Sequence, residues 1–566
     1  MVYHQGMRGD LGMNRARKIA LTMGAALFTW SGGGANAEQP AAKPNILVIV
    51  ADDLGYTDLG SYGSEIPTPN LDRLAKQGLK FTDFHTGMTC SPTRAMLLTG
   101  VDHHKAGLGN MAEELSPNQK GKPGYEGYLN FSVAPLPAIL RAHGYRTFMT
   151  GKWHLGLTKE TGPHARGFDH SFALLQGAAG HFSNMLPVVG PEKALYRDDD
   201  DMVAKLPDDF YSTRFFTDRM IAYMKEGDKK QQAKPFFAYL AYTAPHFPIQ
   251  APEKSIAKSR GKYDDGYDAL FKRRLAAAKR LGVIPADAQG SPPNPDGIPW
   301  SELSPEQQAV EARHMEVFAA MISDLDHEVG RLLDYLEQSG KLDNTIIIFM
   351  SDNGYEGHDL RTSFKEASDW ADACCTNDPA HIGGPDSYIW MGPNWSRASS
   401  APFRYYKGFP TEGGTRVPFF ISYKGLERTG TTVARGHVSD IMPTLLDLSG
   451  IKAPDGRFEG REVLPMTGRS MQPLLAGKAD TVHPADEPFA EELFGKSGIR
   501  IGTMKAVNIR KPYGNGGWQL FDLSSDLAET HDLSVQRPEE LKQLIDAWNR
   551  WAAANQVILP DWNSGY

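Results

Sequence analysis

Four stretches of this chain are continuously apolar and then turn abruptly polar: "NILVIVADDLG" (residues 45–55), "RTFMTGKWHLG" (146–156), "PFFAYLAYTAPHFP" (235–248) and "NTIIIFMSDNG" (344–354). Runs without alternation mark strands buried on both faces, so the pattern predicts an α/β fold with a large, mostly parallel sheet flanked by helices. Ligands of open α/β sheets gather outside the carboxyl ends of the strands, which makes the four polar tails candidates for one shared site. Between the strands, residues 69–78 open on proline and stop at glycine, and residues 311–340 repeat apolar positions at helical spacing; both predict helices. A further helix over 438–450 closes a large domain taken as residues 42–455. Beyond it, "GIRIGTMKAVNIR" and "WQLFDLSSD" predict short antiparallel strands, and residues 537–555 an amphipathic helix. That makes a smaller α+β domain over residues 456–566. The Pro- and Gly-dense stretch 284–300 predicts an exposed insertion.

Composition narrows the class. Of 566 residues, 41% are hydrophobic and 23% charged, which is ordinary for a globular protein, and the net charge of −8 without a basic block excludes nucleic acid as a partner. Arg15, Arg17 and Lys18 precede an apolar run over 19–30 and a small-residue "ANA" at 35–37, the grammar of a signal peptide over residues 1–37. The expectation is a chain passed to export machinery and left periplasmic or secreted, with no stable membrane anchor, because no later segment is apolar for long enough. Only Cys90, Cys374 and Cys375 are present, so no disulfide framework holds the fold. A bridge between adjacent cysteines is geometrically strained, so Cys374 and Cys375 are expected as free thiols.

The polar tails carry the chemistry. One strand ends in Asp52 and Asp53, another in Asp352 and Asn353. Oxygen-only ligands point to a hard cation, Ca²⁺ or Mg²⁺, rather than zinc. In "TCSPTRAMLLTG", Pro92 suits the first turn of a helix and sets Cys90 at its N-terminus, where backbone N–H groups favour negative charge, with Arg94 one turn on.

"CSPTRAMLLTG" and "GKWHLG" resemble the two sulfatase signatures, and the likeness continues through "PHARGF", "FMSDNG", "YYKGFPTEGGTRVP" and "VSDIMPTLLDLSG". The chain resembles the type I sulfatases of the alkaline phosphatase superfamily, bacterial arylsulfatases above all. The resemblance implies that Cys90 is oxidised to formylglycine by a maturation enzyme reading Cys90, Pro92 and Arg94. It further implies one Ca²⁺ on Asp52, Asp53, Asp352, Asn353 and the hydrated aldehyde at residue 90. Arg94, Lys152 and Lys407 match cations that hold the diol and the sulfate oxygens, and His154 matches the base that releases sulfate. His246 and Lys407 match groups assisting the leaving oxygen, and Asp352 is a further acceptor for the nucleophile's proton. The substrates implied are small-molecule sulfate esters. The Asp352-Asn353 pair argues against the two-zinc phosphatases of the superfamily, which usually carry Asp-His there. Two alternatives stay open: a formylglycine-dependent phosphonate monoester or phosphodiester hydrolase, and an inactive sulfatase-like binding protein. Pocket walls are expected from residues 177–197, 284–300 and 358–404. His85, His103, His104, His181 and His437 lie near motif stretches without a role, the His103–His104 pair being placed to flank the pocket.

Overall fold

In the computed structural model, which describes residues 43–566, the apolar runs become the centre of one ten-stranded mixed sheet. Its strands are β1 (Asn45–Ala51), β2 (Leu79–His85), β3 (Arg146–Lys152), β4 (His170–Leu174), β5 (Tyr196–Asp198), β6 (Asp201–Met202), β7 (Phe236–Ala241), β8 (Thr345–Ser351), β9 (Phe419–Ser422) and β10 (Gly430–His437). They lie in the order β10-β2-β9-β8-β1-β7-β3-β4-β5-β6. From β8 to β4 every pairing is parallel. β9 runs antiparallel to both neighbours, β10 pairs in parallel with β2, and β5 and β6 end the sheet as an antiparallel meander.

The unbroken apolar character of the central strands follows from where alternate side chains go. In β1, Leu47, Ile49 and Ala51 enter the core on one face while Ile46, Val48 and Val50 enter the other. β8 divides in the same way, with Ile347 and Phe349 opposed to Ile346, Ile348 and Met350. A period of two with both faces buried leaves no position for a polar residue until the strand ends. The first face is covered by the helices Pro69–Gln77, Ser212–Lys225 and Pro305–Gln338, the second by Cys90–Thr99, Leu136–Ala142 and Ile441–Leu448.

Past residue 455 the chain first finishes covering the large sheet: after the two-residue strands β11 (Arg457–Phe458) and β12 (Arg461–Glu462), Val463, Met471, Leu474 and Leu475 join its core. The small antiparallel sheet then follows as β13 (Phe489–Leu493), β14 (Lys496–Ile501), β15 (Met504–Asn508) and β16 (Trp518–Asp522). The helix Pro538–Asn555 lays Leu544, Ala547 and Trp548 on it. Residues 284–300 are mostly exposed coil, with Ile284, Ala288 and Ser291 turned inward.

The expected export signal, residues 1–37, lies outside the described residues. No helix among the described residues is long and apolar enough to cross a membrane. The expectation of free thiols at Cys374 and Cys375 is corrected: the two are joined as a disulfide. The helix Lys365–Cys374 stops at the first cysteine and Cys375 turns to extended backbone, which brings the sulfurs together across a Cα separation of 3.7 Å.

Candidate active site

Parallel register holds the strand ends level, and that is what assembles the site. Ala51 pairs with Ser351, so Asp52 and Asp53 emerge beside Asp352 and Asn353, with the Asp352 N–H donating to the Ala51 carbonyl at 3.1 Å. β3 ends on Lys152, and His246 follows β7 in the neighbouring loop. Cys90 is the first residue of the helix Cys90–Thr99 and only 1% exposed. Arg94, fully buried, stands one turn further along.

These side chains form one network. Cys90 Sγ lies 3.4 Å from Asp52 Oδ1 and 4.0 Å from Asp53 Oδ1. Lys152 Nζ donates to both Asp52 oxygens at 2.9 and 2.8 Å. Arg94 grips Asp352 Oδ2 through Nε at 3.0 Å and Nη2 at 2.6 Å, and donates from Nη1 to the Lys152 carbonyl at 2.9 Å. Lys407 Nζ reaches Asp53 Oδ1 at 3.1 Å and Glu356 Oε2 at 3.3 Å. Burial opposes charge on Lys407, but Asp53, Glu356 and the other neighbouring groups together outweigh it and hold the ammonium well above its ordinary value. Burial likewise opposes ionisation of Glu356, which His358 and Lys407 bring down to about 2. In Asp352, burial is overcome by Arg94, Lys152 and Lys407, so its carboxylate stays below the usual range and is a weak base.

His246 has a defined tautomer. Its Nδ1 sits 2.7 Å from the Phe247 carbonyl, an acceptor only, so Nδ1 carries the hydrogen and Nε2 offers a lone pair to Lys407 Nζ at 3.3 Å. Burial, then Lys407 and Lys152, push this imidazole well below its ordinary value, so it is neutral at neutral pH. His181 sits beneath it, with Nε2 3.1 Å from the His246 carbonyl and Nδ1 2.7 Å from Ser212 Oγ. His154 Nε2 pairs with Glu113 Oε1 at 2.9 Å, while its buried Nδ1 has no partner. Asp53 and His154 both adopt positive φ, 66° and 53°, a strained conformation for non-glycine residues that costs on the order of 1–3 kcal/mol each and concentrates at functional sites.

The donor set fits a hard cation. Asn353 Nδ2 donates to Asp53 Oδ1 at 2.6 Å and to the Gly354 carbonyl at 2.8 Å, leaving Asn353 Oδ1 buried without a donor. Ligand atoms of Asp52, Asp53, Cys90 and His246 all lie within 4.8 Å of one another, and Asp352 Oδ1 adjoins them by accepting the Asp53 N–H at 3.3 Å. Burial raises Asp52 and pushes Asp53 up to about 8, the response of packed carboxylates that a divalent charge would relieve. An orphaned amide oxygen among carboxylates suits an oxygen-ligated cation such as Ca²⁺ or Mg²⁺.

Above Cys90 opens a cleft of about 510 Å³, lined by His154, His246 and Lys407 and walled by Val188, Phe247 and Trp390. Residues 177–189 and 364–390 supply walls as expected, but residues 284–300 do not. That stretch is tied elsewhere, Asn294 donating to Ser396 Oγ at 2.7 Å and Asp296 accepting from the Tyr406 hydroxyl at 3.1 Å. The His103–His104 pair also stays out of the cleft: His104 is locked between Asp102 and Glu492, at 3.0 and 3.2 Å. His85 and His437 line a separate small cavity beside Glu412. Sequence reading passed over Glu113, Glu356 and Tyr566, which lie beside His154, Lys407 and the cleft respectively; no local pattern singles them out.

Comparison with known proteins agrees with this arrangement. A family model described as Sulfatase matches residues 44–451. The chain is 44% identical over 539 residues to an uncharacterized sulfatase of Schizosaccharomyces pombe, covering 92% of this chain and 96% of that one. It is 37% identical over 466 residues to an arylsulfatase of Klebsiella aerogenes, covering 81% and 97%. The solved structure of Ps i-CgsB in complex with k-i-k-neocarrahexaose matches with a TM-score of 0.64 at 24% identity, over 92% of this chain and 95% of that one. BT4656 in complex with its substrate D-glucosamine-2-N,6-O-disulfate matches at 0.60 and 20%, over 92% and 99%. These two likenesses establish the shared fold. The family model spans the ten-stranded sheet and its strand-end site, and with the 37% identical Klebsiella arylsulfatase it decides the family: this chain belongs to the sulfatase family of sulfuric ester hydrolases.

Proposed function

We propose that this sulfatase is an exported arylsulfatase that hydrolyses sulfate monoesters of phenols, with Cys90 matured to formylglycine and Ca²⁺ on Asp52, Asp53, Asp352, Asn353 and residue 90. The setting of Cys90 carries the reading. As a thiol it is pushed well above its ordinary value, first by burial and then by Asp352, so unmodified it is protonated and a poor nucleophile. Yet it heads a helix at the floor of the cleft, ringed by Asp52, Asp53, Lys152 and Lys407. A reactive position occupied by an inert thiol calls for conversion of that thiol. Once formed, an aldehyde hydrate at residue 90 would supply an oxygen nucleophile, and a cation held by Asp52, Asp53, Asp352 and Asn353 would supply Lewis-acid polarisation.

The chain's own residues then have distinct tasks. Arg94 keeps Asp352 ionised and oriented, and Lys152 orients Asp52 while opposing the rise that burial imposes on it. Lys407, held charged, faces the leaving oxygen with a proton, and neutral His246 accepts from Lys407 and fixes its direction. Preorganised cations in a buried site act without the reorganisation that water would need. His154, oriented by Glu113, is the group placed to take a proton at Nδ1. The phenolic substrate class is supported by the aromatic wall of Phe247 and Trp390, with centroids 4.1 Å apart and planes tilted by 34°, and by the Klebsiella relative. Export is supported by the N-terminal pattern, and the maturation enzyme by the Cys-x-Pro-x-Arg string.

The test is mass spectrometry of the peptide spanning Cys90, from protein made with its native maturation machinery, alongside turnover of 4-nitrophenyl sulfate and 4-nitrophenyl phosphonate esters. Replacement of the thiol by an aldehyde together with preferential sulfate release is the expected result. An unmodified thiol in active enzyme sinks the nucleophile assignment, and faster phosphonate turnover sinks the sulfatase preference.

A further inference from the structure

We propose that Tyr566 is a specificity-determining residue: its ring forms a wall against which an aryl leaving group packs, delivered to the cleft by a strap over residues 556–566. The inference rests on the aryl-ester reading above and assigns it to a residue far from every signature motif.

The strap is built rather than draped. The helix Pro538–Asn555 ends where Gln556 takes the left-handed conformation, φ 58°, and the chain turns back across the large domain. The Ile558 N–H donates to the Tyr125 hydroxyl at 2.7 Å, Gln119 Nε2 donates to the Ile558 carbonyl at 2.7 Å, and Asn118 Nδ2 to the Leu559 carbonyl at 2.9 Å. Arg510 Nη2 then donates to the Pro560 carbonyl at 3.0 Å. At Gly565 the backbone passes so close that a Cβ would stand 2.2 Å from the Ser363 carbonyl oxygen, so only glycine lets the chain through. These anchors bring the Tyr566 ring to the cleft that holds Cys90.

There the ring is fixed from behind and open in front. It stacks on Phe494 at 4.7 Å with planes 10° apart and meets the edges of His358 at 4.9 Å and Phe364 at 5.0 Å. Lys407 Nζ lies 6.0 Å from its centroid and 6.0 Å from the centroid of Phe247. Two aromatic rings therefore border the ammonium that faces the leaving oxygen. An ester whose sulfur sits at residue 90 must extend its leaving group past Lys407, along those rings. A flat phenol gains from aromatic contact there, whereas a sugar would lose water from hydroxyls that the rings cannot hydrogen-bond. Burial raises the Tyr566 hydroxyl well above its ordinary value, so the wall stays neutral beside an anionic substrate.

The experiment compares matured, Ca²⁺-replete wild type with Tyr566→Ala, Tyr566→Leu and Tyr566→Phe. It reads kcat and KM on 4-nitrophenyl sulfate, the same on a short alkyl sulfate, and inhibition by inorganic sulfate. Expected are a KM for the aryl ester raised about tenfold in Tyr566→Ala, equivalent to about 1.4 kcal/mol, a smaller rise in Tyr566→Leu, and wild-type behaviour in Tyr566→Phe. Sulfate inhibition and alkyl-ester kinetics should move less than about twofold, because the anion site is untouched. Unchanged aryl kinetics in Tyr566→Ala overturns the proposal. An equal loss on both esters and on sulfate inhibition also overturns it, since the strap would then only support the fold. Wild type that leaves aryl esters intact while cleaving sugar sulfates defeats the aryl reading itself, a result distinguishable from either.

Discussion

The buried imidazole of His104 ties the turn after the Cys90 helix to the small sheet, and its charge makes stability depend on pH in a defined window. Its Nδ1 is 3.0 Å from Asp102 and its Nε2 3.2 Å from Glu492, with no exposure of the ring. Burial works against the charge, but hydrogen bonds to Asp102 and Glu492 overcome it and raise the group from 6.5 to about 9. A folded value above the unfolded one means that the stabilisation is complete below the unfolded value and is lost as pH rises through the folded one. At about 1.4 kcal/mol per unit, that gap amounts to ~3 kcal/mol. For a chain of this length, an unfolding entropy of about 2.1 cal/mol/K per residue turns ~3 kcal/mol into ~3 °C of melting temperature. The variant is His104→Gln, which keeps hydrogen-bonding capacity and removes the titration. Calorimetric scans of both proteins across roughly pH 6 to 10, at fixed Ca²⁺, let the titrating groups that do not interact with His104 cancel in the difference. The gap should be ~3 °C at about pH 6 and close toward zero near pH 10. A gap that is constant or widens with pH refutes the argument, because His104 would then not be charged in the folded protein.

Two further outcomes follow from the site. A Cβ at Gly177 would lie 2.8 Å from His154 Cε1 and 3.2 Å from Glu113 Oε1, so Gly177→Ala should split that pair, lowering kcat about 10- to 100-fold while stability falls by no more than about 3 kcal/mol; unaltered kcat would show that the pair is not used. Removing the orphaned oxygen with Asn353→Ala should weaken Ca²⁺ binding at least about tenfold, measured as the midpoint of the calcium-dependent rise in melting temperature of chelator-stripped protein; an identical midpoint would remove Asn353 from the ligand set.

Much of the site was legible because the parts that carry it are local in sequence. A strand buried on both faces must be apolar until it ends, so "NILVIVADD" and "NTIIIFMSDN" announce both the strand and the first residues free to be polar. The helix at Cys90 was equally readable, since Pro92 and Gly100 mark its start and stop within a dozen residues. The weaker strands were not. β2, "LKFTDFH", mixes polar and apolar positions, and its pairing with β10 and β9 depends on segments more than 300 residues away. Stretch 284–300 looked like a wall of the pocket because exposed loops often are, but which loop faces which cleft is a matter of packing.

Sequence alone determined the sheet's central strands, the buried helix at Cys90 and the identity of the residues at the strand ends, because backbone periodicity and steric limits act over a few residues. Tertiary structure decided the rest: Glu113 behind His154, Glu356 beside Lys407, His104 bound to a strand nearly 400 residues on, and Tyr566 returned to the cleft. Each of these contacts joins segments whose separation along the chain carries no pattern. Their proximity is fixed only when the two faces of the sheet are covered and the small sheet docks; at that point burial makes Glu113, Glu356 and Tyr566 parts of the site and His104 a buried tie outside it.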